Sequence, residues 1–266
     1  MFEKQLRSLK RRYHLLRPLK HARRDGIEYQ LDCRQLIDYN IYLGFWEKDT
    51  HDFIENYIGD GFVTVEVGAN IGAHTLLIAK KSGNQGLVHA IEPTEFARSK
   101  LLKNASLNPD LEKRVKVHNF LISDSIEENP RRDIRSSWPA KASMAWQPEE
   151  HVSSPVSTID RLLDDWGLTR LDLLKIDIDG YDYRALLGAR GAIEKFRPLI
   201  YVELSENAQQ VNGYSITDIV DLLTSKGYRG YDANEMYELS SENVLARLGH
   251  KDSINGVFFP EEKARQ

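Results

Sequence analysis

Seven short apolar runs recur along the chain, at 62–67, 87–91, 115–121, 171–178, 199–204, 228–231 and 256–259. Helical patterns over 73–81, 96–108, 159–166, 183–196 and 216–226 separate most of them. Short apolar runs alternating with helices are the mark of βαβ succession, and runs this apolar imply a parallel sheet covered on both faces. Ahead of them, a strand is expected over 27–31 and helical pieces over 36–42 and 50–58. With 266 residues, 41% of them apolar, the chain can bury a substantial core, which excludes wholesale disorder. No stretch approaches the ~18 uninterrupted apolar residues of a membrane span.

Charge is divided unevenly. Residues 1–24 hold nine Lys and Arg against Glu3 alone, leaving 27 basic against 39 acidic side chains for the remainder. Phe2, Leu6, Leu9, Tyr13 and Leu16 fall on one helical stripe, which Pro18 should end. A basic amphipathic helix suits an anionic membrane surface, a nucleic-acid arm or a docking helix, and it also suits simple packing on the body. The expected organisation is a basic amphipathic helical extension (1–25), an N-terminal cap segment (26–58) and a main domain (59–262). The N-terminus has no apolar leader or small-residue cleavage site, so no secretory signal is expected. A single cysteine, Cys33, cannot form an internal disulfide, which suits a reducing cytoplasm.

The segment from Val63 to Leu77 reads as a strand, a glycine turn and a helix start. Its spacing, Gly68-x-x-x-Gly72, is not the G-x-G-x-x-G of dinucleotide binding. Glu66 precedes the first glycine by two residues, where an acid suits a positively charged ligand group. Glu92 ends the next strand, where a carboxylate can accept both hydrogens of a ribose diol. Together these features describe a nucleoside joined to an amino acid without a pyrophosphate, and S-adenosylmethionine fits. The expected cofactor residues are Glu66, Gly68, Asn70, Gly72, His74 and Glu92, with Ser123 and Asp124 near the adenine.

The sequence resembles the FkbM family of S-adenosylmethionine-dependent methyltransferases. The resemblance rests on Val65-Glu-Val-Gly-Ala-Asn-Ile-Gly72, Ile91-Glu-Pro93 and Thr158-Ile-Asp160. It continues through Leu171-Asp-Leu-Leu-Lys-Ile-Asp-Ile-Asp-Gly180 and Arg197-Pro-Leu-Ile-Tyr-Val-Glu203, in family order. One departure is Asp179, where the family motif more often carries glutamate. The resemblance implies an α/β, class I methyltransferase (Rossmann-like) fold, with a mostly parallel seven-stranded sheet and helices on both faces. It also implies O-methylation, often of sugars.

Period two along the fourth strand sets Lys175, Asp177 and Asp179 on one side. Because ligands gather at the carboxyl ends of strands, Asp177, Asp179 and Glu203 are the expected catalytic carboxylates. One of them would serve as general base, or all three would hold a divalent metal such as Mg²⁺. The plainer reading is that Lys175 neutralises a buried acid and Asp179-Gly180 caps the next helix. The interval 125–157 is expected to close over an acceptor, with Trp138 or Trp146 stacking on a sugar. Arg131, Arg132 or Arg135 would meet anions there, and Asp182 is a further candidate contact.

The expected function is methyl transfer to a saccharide hydroxyl of a glycolipid, polysaccharide or nucleotide sugar, at the cytoplasmic face of a membrane. A second copy of the chain is a further candidate partner. Two alternatives stand beside it: a nucleic-acid methyltransferase using the basic arm, and a non-catalytic cofactor-binding partner in glycan assembly. Against nucleic acid, the body is acidic, and the fourth strand carries no Asn-Pro-Pro-Tyr-like motif or nucleophilic cysteine.

Overall fold

The computed structural model describes residues 18–44, 46–126, 132–140 and 150–263. The helical stripe expected over 2–16 lies outside these residues, as do Arg131 and Trp146.

The end of the basic segment is a correction to the expected helical extension. Leu19–Arg24 forms a strand, β1, antiparallel to β2 (Ile27–Asp32). Asp25 and Gly26 join them with φ of 50° and 78°, the paired left-handed conformation of a two-residue hairpin turn. Helices α1 (Leu36–Leu43) and α2 (Lys48–Tyr57) complete the cap segment.

The main sheet starts with β3 (Val63–Val67), α3 (Ala73–Lys81) and β4 (Leu87–Ile91). Helices α4 (Glu95–Ser106) and α5 (Pro109–Glu112) then lead to β5 (Val115–His118). The third apolar run divides here, because β6 (Leu121–Ile122) leaves the main sheet. A two-residue pair, β7 (Asp133–Ile134) and β8 (Glu150–His151), follows, and β9 (Val156–Ser157) then pairs with β6. Helix α6 (Ile159–Asp165) carries the chain to β10 (Leu173–Ile176), which enters beside β3. After α7 (Asp182–Leu187) and α8 (Arg190–Phe196), β11 (Leu199–Leu204) pairs parallel to β10. Then come α9 (Glu206–Val211), α10 (Ile216–Ser225), β12 (Tyr228–Asp232), β13 (Glu238–Leu239) and α11 (Val244–Leu248). The last strand, β14 (Ile254–Pro260), inserts antiparallel between β11 and β12.

The resulting order is β13-β12-β14-β11-β10-β3-β4-β5. The eighth strand, absent from the expected seven, is the two-residue edge strand β13, too short to register as an apolar run. β3 and β10 run parallel, but the strand order reverses between them, β4 and β5 lying to one side and β11 to the other, and such a switch point opens a crevice at the strands' carboxyl ends.

Alternation within the strands separates two cores. Val65, Val67, Leu174, Ile176, Ile200 and Val202 face α6, α7, α8 and α10. On the opposite face, Leu173, Leu199, Tyr201 and Val257 meet β1, β2, α1, α2 and α3. The cap segment is thus part of the main core.

Local signals place the helices. Ser215 and Asp218 form a capping box on α10. Thr158 caps α6, and the Asp160 carboxylate accepts the amides of Gly191 (2.8 Å) and Ala192 (2.7 Å) at the start of α8. The Thr158-Ile-Asp160 element therefore does structural work on two helix termini.

At the β4–β5 edge, the parallel rings of His89 and His118 stack on Trp166, with centroids 4.4 and 4.1 Å from the indole. Burial holds both imidazoles down to about 4, helped by His118 and Lys116 at His89 and by Lys116 at His118. The unfolded chain, with imidazoles near ~6.5, takes up these protons earlier. Stability is therefore present above that value and declines as pH falls toward the folded values. Urea midpoints should drop between about pH 7 and about pH 4.5, and His118→Phe should flatten that dependence. An unchanged pH dependence in the variant would contradict the assignment.

Candidate active site

The turn after β3 is built by backbone convergence. A Cβ on Gly68 would lie 1.9 Å from the carbonyl oxygen of Asp177, and its φ is +85°. Only glycine lets the ends of β3 and β10 approach this closely. Asn70 follows with φ +48°; its side chain accepts from the amide of Ile71 (2.9 Å) and donates to the carbonyl of Ser136 (3.0 Å). Gly72, with φ +84°, then starts α3.

Two cavities meet at this turn. The first, about 250 Å³, runs from Gly68 and Asn70 past Glu92 to an apolar end made by Ile91, Pro93, Phe120, Leu121 and Ile122. Asp133, Ile134, Arg135 and Ser136 of the 125–157 interval also line it. The second, about 200 Å³, is bounded by Trp46, Glu47, His74 and Glu203. Gly68, Asn70, Trp138, Asp177 and Asp179 line both.

Glu92 lines the first cavity. One oxygen accepts from the amide of Asn70 (2.9 Å); the other accepts from the amide (2.9 Å) and hydroxyl (2.5 Å) of Thr94. Burial pushes its pKa up, while these bonds pull it back. The carboxylate is fixed in orientation at the cavity wall, as a diol acceptor requires.

Glu66 is a correction. It is buried beneath the sheet end and lines neither cavity. In register, Glu66 lies opposite Lys175, which lies opposite Tyr201. Side chains opposite one another on neighbouring strands share a face. The Glu66 carboxylate accordingly meets the Lys175 ammonium at 3.5 Å and accepts from the Thr75 hydroxyl at 2.5 Å. Lys175, 2% exposed, also reaches Asp177 at 3.4 Å. Burial alone would lower Lys175, but Asp177, then Glu66 and Glu47, draw it well above its ordinary value. The positive partner of Glu66 is this lysine, and the carboxylates that line both cavities are Asp177 and Asp179.

Four further expectations change. Ser123 and Asp124 line neither cavity, because β6 has left the main sheet and Asp124 turns to Arg184 at 3.5 Å. His74 lines the second cavity and not the first. Asp182 is no surface contact: 1% exposed, it accepts from the amides of Ile178 (3.1 Å) and Gly180 (3.0 Å) and from Gln209 (2.9 Å). Among the described residues, no three His, Cys, Asp or Glu side chains come together as metal ligands, so Asp177, Asp179 and Glu203 share a cavity without forming a coordination set.

The acids of the second cavity and the buried Asp182 perturb one another. Burial and the charge of Asp177 raise Asp179 to about 6 and Asp182 to about 7. The same causes, with Asp182, push Glu203 far up. Burial and Asp177 also lift Glu47 to about 7, and burial, Lys175 and His51 hold His74 well below its usual value. Sequence reasoning missed Trp46 and Glu47. They lie far from the glycine turn in sequence, and the left-handed φ of Glu47 (+34°) has no glycine to announce it.

The 125–157 interval reaches the site through 132–140. The Trp138 carbonyl accepts from the Leu36 amide and the Ala140 amide donates to Arg34, both at 2.7 Å. The Glu150 carboxylate accepts the amides of Glu95 (2.7 Å) and Phe96 (3.1 Å) at the start of α4. Trp138 borders both cavities, and Arg135 borders the first.

Removing Lys175 would leave two carboxylates without their cation in a buried setting. Lys175→Met should lower unfolding free energy by about 3–5 kcal/mol. Adding Glu66→Gln should recover part of that loss, as read from urea denaturation. Equal stability of Lys175→Met and the parent chain would refute the role of this lysine.

Comparison with known proteins places the chain. No curated protein matches it by sequence. Among solved structures, Aeropyrum pernix fibrillarin, in complex with natively bound S-adenosyl-L-methionine, is 9% identical, with a TM-score of 0.48 over 91% of this chain and 82% of that one. The O-methyltransferase from Bacillus cereus, in complex with SAH, is 14% identical, with a TM-score of 0.47 over 80% of this chain and 81% of that one. Methyltransferase FkbM from Methylobacillus flagellatus KT is 17% identical, with a TM-score of 0.45 over 97% of this chain and 60% of that one. The profile of the methyltransferase FkbM domain matches residues 66–229, more than half of the chain, and the chain belongs to that family.

Proposed function

We propose that the chain is an S-adenosylmethionine-dependent O-methyltransferase that methylates a saccharide hydroxyl. The observation that carries this reading is the first cavity, with fixed Glu92 in its wall, an apolar slot at one end and Asp177 with Asp179 at the other. A flat base suits the slot, a ribose diol suits Glu92, and the cationic amino-acid end suits the two aspartates. The residues present therefore fit the cofactor, which would supply an electrophilic methyl on a sulfonium. The chain's own work is to hold that group in line with an acceptor and to exclude water, since near-attack alignment contributes a large share of the rate.

The second cavity supports a neutral, hydroxyl-rich acceptor. Trp46 and Trp138 line it with aromatic side chains, and Glu47, His74 and Glu203 line it with hydrogen-bonding groups. Aromatic faces suit the C–H side of a pyranose. Its carboxylates disfavour a phosphate backbone, which weakens the nucleic-acid alternative. Among the described residues, no helix is long and apolar enough to cross a membrane. The basic residues of 1–24 suit an anionic membrane surface, where glycolipid acceptors would lie.

Calorimetry with S-adenosylhomocysteine tests the cofactor assignment. The parent chain should bind it, and Glu92→Gln should weaken binding about tenfold or more while the fold, read by circular dichroism, stays intact. Label from methyl-labelled S-adenosylmethionine should enter the saccharide fraction of a cell extract. An absence of binding heat with both S-adenosylmethionine and its demethylated product would overturn the proposal.

A further inference from the structure

We propose that Glu47 and His74 form the clasp for the acceptor hydroxyl, with Glu47 taking its proton and His74 orienting its oxygen. This inference rests on the two-cavity reading above and adds the residues that act on the acceptor.

His74 is 9% exposed, and its Nε2 has no hydrogen-bond partner. Buried polar atoms in folded proteins are nearly always satisfied, so an unsatisfied one on a residue that lines a cavity marks a place for a ligand atom. The Glu47 Oε2 lies 3.6 Å from it, too far for a direct hydrogen bond. Two atoms at that separation can both reach one oxygen lying about 2.8 Å from each. A hydroxyl is the group that can use both, donating to the carboxylate and accepting from the imidazole N–H.

The surroundings hold the pair in place. Glu47 accepts from the Thr50 hydroxyl at 3.2 Å, and Thr50 meets the Tyr201 hydroxyl at 2.9 Å. His74 is set by the glycine turn at the start of α3, and the Trp46 ring lies roughly parallel to it at 22° and 6.5 Å. Asp177, Asp179 and Glu203 also face this cavity, and Lys175 lies beneath Asp177. Asp177, which borders both cavities, joins the clasp to the cofactor end.

The step balances without a further reactant. The acceptor oxygen forms a bond to the methyl carbon, the methyl–sulfur bond breaks, and its electron pair stays on sulfur as a neutral thioether. The hydroxyl proton passes to the Glu47 carboxylate. Neutral His74 donates to the oxygen throughout and keeps its own proton.

The test uses the full chain, labelled with ¹⁵N at histidine and saturated with S-adenosylhomocysteine, titrated with methyl α-pyranosides of the gluco, galacto and manno series. At least one should shift the His74 Nε2 resonance saturably, and His74→Ala should weaken that glycoside about tenfold while S-adenosylhomocysteine affinity stays within about twofold. With labelled-methyl transfer to the bound glycoside as readout, Glu47→Gln should lower kcat about 100-fold and leave KM within about threefold. Glycosides that leave His74 unmoved, a Glu47→Gln chain with parental kcat, or no transfer by the parent chain to a glycoside bound at His74 would each overturn the proposal. Failure of S-adenosylhomocysteine to bind the parent chain would instead overturn the cofactor reading on which it rests.

Discussion

A single buried ammonium organises the site. Lys175 stands on β10 between Glu66 of β3 and Tyr201 of β11, and it touches both Glu66 and Asp177. Two carboxylates at adjoining strand ends would otherwise repel in a setting where water screens little. The lysine lets β3 and β10 close at the switch point, and Gly68 removes the steric obstacle to the same approach. Pairing of charge and absence of a side chain thus work on one joint. The crevice that opens above it holds both cavities.

The cap segment has a second role beyond covering the sheet. Tyr201 lies on the face that α1 and α2 bury, and its hydroxyl reaches Thr50 on α2. That contact, with the left-handed turn into α2, brings Glu47 to the wall of the second cavity. Apolar packing of Phe53 and Ile54 anchors the helix, each such side chain contributing roughly 1.5–3 kcal/mol when fully buried. Packing on one face of the sheet therefore fixes the position of a polar group at its edge.

Much of this fold was legible in the sequence because the relevant signals are local. The apolar runs at 87–91 and 199–204 match β4 and β11 residue for residue, and the helix pattern over 73–81 matches α3. Glu92 could be placed because it follows a strand end. Glu66 could not be placed correctly: alternation says that it points away from Val65 and Val67, but not that Lys175 waits on the neighbouring strand. His74 lines the second cavity and Asp182 bonds to its own turn, a difference that sequence does not show, since a helix-start residue can face either way. The hairpin at Asp25–Gly26 was readable from its turn chemistry and was hidden by the basic stripe before it. Trp46 and Glu47 reach the site through tertiary packing alone, and nothing near them in sequence points there.

The central claim is that one crevice presents a cofactor cavity and an acceptor cavity that meet at Asp177. A crystal structure with S-adenosylhomocysteine tests it most directly. The account predicts ribose hydroxyls on Glu92, the base among Phe120, Leu121 and Ile122, and the sulfur directed toward the space between Glu47 and His74. A ligand seated elsewhere, or a sulfur directed away from that space, would contradict it.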